Sequence, residues 1–153
     1  MAEIMFYHLE HKPWEQVLPR QLATALERGW RCIVQVGREE RVEEVSEILW
    51  KNEADIFLTH GCKADGKAEL QPIWLTAEAD NPNSATVRFF IEGAAIGDVA
   101  GLTRAAILFD GRDEAAVATA RTDWKRLKAE GHEISYWQQD ENHRWQNKSK
   151  SGD

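Results

Sequence analysis

Arg121, Trp124, Lys125 and Lys128 follow one another at intervals of three, one and three residues, a spacing that gathers side chains along one side of an α-helix. Four cations (Arg121, Lys125, Arg126 and Lys128) stand in this stretch against the carboxylate of Asp123, in a chain whose formal net charge is -7. Lysine and arginine beside an indole can grip a carboxylate through charge-assisted hydrogen bonds and cover an apolar ring. On an acidic protein, so local a cationic face suits a small acidic partner better than a long polyanion. Val117, Ala120, Trp124 and Leu127 mark the spacing of a buried stripe beside the cations. The same pattern is equally that of a core stripe with solvated charges near a helix C-terminus, and periodicity leaves both readings open.

Positioning these residues requires a helix over about Arg112 to Glu130, a stop at Gly131 and an aromatic strand through Ile134, Tyr136 and Trp137. Upstream, the pattern alternates strand and helix. Ile4 to Leu9 reads as a strand, and Glu15 to Arg28 as a helix with Val17, Leu18, Leu22 and Leu26 on one face. Arg31 to Val36 is a nearly continuous apolar run, as in a strand buried on both faces. A second helix is expected over Glu39 to Trp50, a short strand at Ile56 to Leu58, and a surface loop from Gly61 to Leu70. Strands follow at Pro72–Leu75, Thr86–Ile91 and Ala105–Asp110, while Gly93 to Gly101 has no clear pattern. The expected fold is a three-layer α/β/α single domain, Rossmann-like, with a largely parallel central sheet and without a nucleotide-binding motif. The domain is placed at residues 1–137, with 138–153 as a polar, flexible tail from which Trp145 could pack back.

Composition narrows the function classes. At 153 residues with 42% hydrophobic and 29% charged residues, the chain can bury a core. It contains no apolar run of membrane-spanning length, and Met1 to Phe6 lacks the pattern of a secretory signal. Cys32 and Cys62 are too few for a disulfide framework, which with the missing signal points to the cytoplasm. The sequence pI of about 5.3 disfavours tight direct binding to duplex DNA.

Enzyme motifs fail on inspection. No Gly-x-Gly-x-x-Gly follows the first strand, and the one glycine after Val36 leads into Arg38-Glu39-Glu40, whose carboxylates would repel phosphate. His8 and His11, and His60 with Cys62, lack the further ligands of a zinc site. No nucleophile elbow is present. No cofactor, metal or catalytic residue is assigned. The competing reading is a nucleotide- or metal-dependent enzyme on an α/β scaffold whose motifs have diverged.

Ordered landmarks then identify a resemblance. They are Met5 to Leu9, Ile48-Leu49-Trp50, Phe57-Leu58-Thr59-His60, Gln71-Pro72-Ile73, Phe109 to Glu114, Trp124-Lys125, Gly131-His132 and Tyr136-Trp137-Gln138. Together they resemble the chi subunit family of bacterial DNA polymerase III, with Thr59 where that family usually has proline. The resemblance implies a non-catalytic clamp-loader accessory subunit that binds the acidic, phenylalanine-ended tail of single-stranded-DNA-binding protein (SSB). It implies a second partner, the psi subunit or a replacement such as a helicase, and only indirect contact with nucleic acid. It also implies site residues: Arg121, Trp124, Lys125 and Trp50 for the tail, and Phe57 for the second partner. Lys128 and Arg126 are added as steering charges.

Overall fold

The computed structural model describes residues 2–149. Its elements in chain order are β1 (Glu3–Leu9), α1 (Trp14–Glu27), β2 (Cys32–Val36), α2 (Val42–Trp50), β3 (Gly61–Cys62) and β4 (Ile73–Thr76). They continue with β5 (Val87–Ile91), β6 (Arg104–Asp110), α3 (Glu114–Ala129), β7 (Glu133–Gln139) and β8 (Trp145–Asn147). All eight strands join one sheet in the order β3-β4-β2-β5-β6-β1-β7-β8. Every pairing is parallel except β7 with β8. The α/β class and the largely parallel sheet are those expected from the sequence.

Side-chain alternation along the strands separates two cores. Val87, Phe89 and Ile91 of β5, with Ala106 and Leu108 of β6, pack into a cluster with Val17, Leu18 and Leu22 of α1 and Val45 and Leu49 of α2. Phe90 and Ile107 point the other way and join Ile4, Phe6, Ala120 and Leu127. Thus α1 and α2 lie on one face of the sheet and α3 on the other. Phe6, Leu18, Leu22 and Leu127 are fully buried, each removal from water contributing roughly 1.5–3 kcal/mol.

Among the described residues no α-helix covers β2 and β4 on the α3 side, where Ile33 and Trp74 pack against Ala85 and Ala68. The segment before β5 does so instead, held by the buried Arg88, whose guanidinium donates to Gln35 Oε1 at 2.8 Å, Asp80 O at 2.7 Å and Glu78 O at 2.5 Å. Three acceptors satisfy the charge that the strand carries into the interior.

Several local expectations change. The apolar triplet Ile56-Phe57-Leu58 is not a strand. Asn52 claims its backbone, accepting from Ile56 N at 3.0 Å and donating to Ile56 O at 2.7 Å. The edge strand is Gly61–Cys62, inside the segment expected to be loop, where a buried backbone pairs with β4. The second helix opens as a 3-10 turn, Glu39–Arg41, before α2. Residues 138–149, expected as a tail, extend β7 to Gln139 and return as β8, and Trp145 meets Tyr7 edge-on at 5.0 Å. Residues 150–153 of that segment lie outside the described residues.

Candidate functional site

α3 carries the first candidate surface. Its start is fixed by Asp113, whose carboxylate accepts from Ala115 N at 3.0 Å and Ala116 N at 3.3 Å, satisfying two otherwise orphaned donors. Its end is fixed by Gly131 at φ 87°, a left-handed conformation that favours glycine. Between them, Ala120 and Leu127 are buried, Trp124 is half-buried, and Arg121, Lys125 and Lys128 are exposed.

Trp124 is wedged between Phe6 of β1 at 5.6 Å and Tyr136 of β7 at 5.8 Å, ring centre to ring centre. One edge of the indole therefore belongs to the core while the other stays accessible beside the cations. Among the described residues Arg121, Lys125 and Lys128 form no ion pair, although the Arg121 charge acts on the Tyr136 phenol. Arg126 is engaged, reaching Glu130 at 3.2 Å, Asp123 at 3.8 Å and the carbonyl of Ile96 at 3.0 Å. Burial raises the Asp123 carboxyl above its usual range, with Arg126 opposing.

A cavity of about 380 Å³ opens beside Trp124 and Lys128, bounded by Ile134 and His132. Glu3 and Glu133 also line it, while Arg121 and Lys125 stand outside it. An acidic ligand would therefore meet the cations along the outer ridge, with the cavity receiving at most its uncharged end.

Tyr136 completes this neighbourhood. Its hydroxyl lies 2.5 Å from His8 Nδ1, and Phe109 closes the cluster at 6.1 Å from the Tyr136 ring. Neither Tyr136 nor His8 was assigned to a site from the sequence. Period-two alternation in Ile134-Ser135-Tyr136 was the available signal, since it puts Tyr136 on the face that α3 covers.

Trp50 does not join this group. It closes α2, on the opposite face of the sheet, and lies tilted against His60 at 4.1 Å and Phe57 at 5.9 Å. The structure places Trp50 beside Phe57 rather than beside the cations of α3. The reason is topological: α2 and α3 cross over on opposite faces. Phe57 is 80% exposed and Trp50 48%, so the two rings make an apolar patch open to solvent.

Among the histidines, His8 and His60 have side-chain hydrogen-bond partners. His60 is buried, with Nε2 3.0 Å from Ser46 Oγ and Nδ1 2.7 Å from Leu58 O. Cys62 Sγ donates to Asp65 at 3.4 Å. Among the described residues no group of three His, Cys, Asp or Glu side chains could hold a metal ion. No helix there is long and apolar enough to cross a membrane.

Comparison with known proteins decides the family. The family model described as DNA polymerase III chi subunit, HolC, matches residues 1–135. The chain belongs to that family. It is also similar to a curated protein of Rickettsia prowazekii (strain Madrid E) named "Probable DNA polymerase III subunit chi", at 24% identity over 99 residues. That match covers 65% of this chain and 60% of the relative, so the chain spans under two thirds of that relative's length. The family indicated by the ordered landmarks from Met5 to Gln138 is the one matched. The family supports a place in DNA replication.

Proposed function

We propose that this chain is a non-catalytic accessory subunit of the DNA polymerase III clamp-loader complex that captures the acidic C-terminal tail of SSB. The observation that carries this reading is the row Arg121, Lys125 and Lys128, exposed and without ion pairs among the described residues, beside a half-buried indole on a protein of net charge -7. Each cation sits one helical turn from the next, so a peptide laid along α3 meets positive charge over its length. Arg121 and Lys125 hold the terminal carboxylate, Trp124 covers the last phenylalanine ring, and Lys128 steers the preceding aspartates.

The Trp50–Phe57 patch is the second contact in this proposal, for psi or a replacement partner. Two clustered aromatic rings in solvent are the usual centre of a protein interface. The two surfaces lie on opposite faces of the sheet, which suits an adaptor that holds two partners at once. Any link to nucleic acid through SSB is indirect in this scheme, and the site of action is the cytoplasm.

Tryptophan fluorescence tests the tail site directly, since the chain has seven tryptophans. Titration with an acidic peptide ending in phenylalanine should saturate, weaken as salt screens the exposed charges, and vanish when the last phenylalanine is removed. A flat titration at low salt would refute the tail reading.

A further inference from the structure

On the sheet face opposite α3, a cavity of about 320 Å³ lies between α1 and the strands β5, β6, β1, β7 and β8. Helix residues Val17, Arg20, Gln21 and Thr24 form one wall at i, i+3, i+4, i+7 spacing. The opposite wall is aromatic: Tyr7 meets Trp145 at 5.0 Å and stacks near Trp137 at 6.5 Å, with Trp30 at the far end.

Three features of this wall are unusual together. Lys12, Arg20 and Arg104 line the cavity and no Asp or Glu does, among the described residues of a strongly acidic chain. Arg104 is steadied from outside the cavity by Glu3 at 2.7 Å and lies over the Trp30 ring at 5.1 Å. Two amide oxygens in the lining, Gln21 Oε1 and Gln139 Oε1, are buried without a hydrogen-bond partner. A buried acceptor needs a donor, so these two amides are open to one from water or from a ligand in the cavity.

The ligand must then offer a flat ring for the aromatic wall, N–H donors on that ring for the two amides, and an anionic group for the cations. A phenylalanine side chain has a ring without donors. A nucleobase on a phosphate backbone has all three, and stacking on aromatic side chains beside cations is how single strands are held. The cavity volume lies at the lower end of the range for small-ligand sites, fitting one nucleotide unit rather than several.

We propose that this cavity binds one nucleotide of single-stranded DNA, with the base against Tyr7, Trp137 and Trp145 and the phosphate toward Arg20 and Lys12. The site is separate from the α3 ridge and does not depend on the tail reading. It adds a direct, short contact with the strand, which the overall acidity of the chain would restrict to this one place.

The test is anisotropy of a short labelled oligodeoxyadenylate with the full chain at low salt, read alongside tryptophan quenching. Saturable binding is expected. Arg20→Glu, at an exposed helix position, should weaken it by about tenfold or more, while the exposed control Arg38→Glu should leave it nearly unchanged. Gln139→Leu, which removes an unpartnered acceptor, should keep the fold and reduce affinity for the oligomer. Absence of saturable binding would overturn the proposal, as would equal losses from Arg20→Glu and Arg38→Glu. Displacement of the oligomer by an acidic phenylalanine-ended peptide would assign the cavity to peptide instead. Free deoxyadenosine monophosphate binding as tightly as the oligomer would assign it to a soluble nucleotide.

Discussion

Phe57 rests against Trp50 at 5.9 Å while keeping 80% of its surface in solvent. Little folding energy can come from a side chain left so open, because burial scales with the area removed from water. Phe57→Ala should therefore shift stability by no more than about 0.5 kcal/mol, as read from urea unfolding. The same variant should lose the proposed second partner in a pull-down from native cell extract. Trp50→Ala is less clean, since its ring also covers the buried His60 at 4.1 Å. A Phe57→Ala protein that still captures every partner would remove the patch from the adaptor scheme.

Arg121 and Arg126 share a helix but differ in what already holds them. Arg126 is tied to Glu130, Asp123 and the Ile96 carbonyl, so it has little left to offer a ligand. Arg121 has no ion pair among the described residues. Arg121→Ala should weaken binding of the phenylalanine-ended peptide by roughly 1.5–3 kcal/mol, the cost of a charge-assisted contact. Arg126→Ala should mainly slow association. Stopped-flow and equilibrium titrations separate the two, and equal small losses would reject the grip on the terminal carboxylate.

The contrast between the two surfaces also shows where the sequence was readable. The α3 stripe was legible because Ala120, Trp124 and Leu127 obey a helical period and Gly131 ends it. β2 was legible because Cys32 to Val36 is apolar enough to be buried on both faces. Ile56-Phe57-Leu58 misled because an apolar triplet has no period of its own, and a side chain four residues upstream, Asn52, decides its backbone. β8 is short and mostly polar. It is set by Asp140, whose carboxylate accepts from Asn142 N at 2.8 Å and Arg144 N at 3.0 Å to turn the chain back. The separation of Trp50 from α3 was not legible, because no local pattern states which face of a sheet a crossover helix will take.

Both tyrosines of the chain should resist ionisation. Burial pushes the Tyr7 phenol up from 10.0 to about 12, with Arg104 opposing and Glu3 adding. Burial also raises Tyr136, with Arg121 opposing and Glu10 adding. An unfolded tyrosine loses its proton first, so between pH 10 and about 12 the unfolded chain binds fewer protons than the folded one. Stability is then fully present below pH 10 and falls as pH rises toward 12, by at most roughly 2–3 kcal/mol for Tyr7. Tyrosinate absorbance should appear only together with unfolding, and Tyr7→Phe should flatten the pH slope. Tyrosinate at its ordinary pH in the folded protein would contradict the packing of Tyr7 under Trp137 and Trp145.

Gly111 leaves no room for a side chain: a Cβ there would fall onto the His8 imidazole. The glycine is fixed in place by its own N–H, which donates to Leu9 O at 2.8 Å. His8 in turn is packed against Phe109 at 5.2 Å and hydrogen-bonded to Tyr136, so it has nowhere to retreat without breaking that bond. Gly111→Ala should therefore cost about 1–3 kcal/mol, the usual penalty for overpacking. His8→Ala in the same background should recover part of the loss, because it removes the clashing ring. Urea midpoints for the single and double variants give the coupling directly. If Gly111→Ala leaves the midpoint unchanged, His8 is free to swing aside, and the Tyr136 wall beneath Trp124 is looser than its 2.5 Å contact implies.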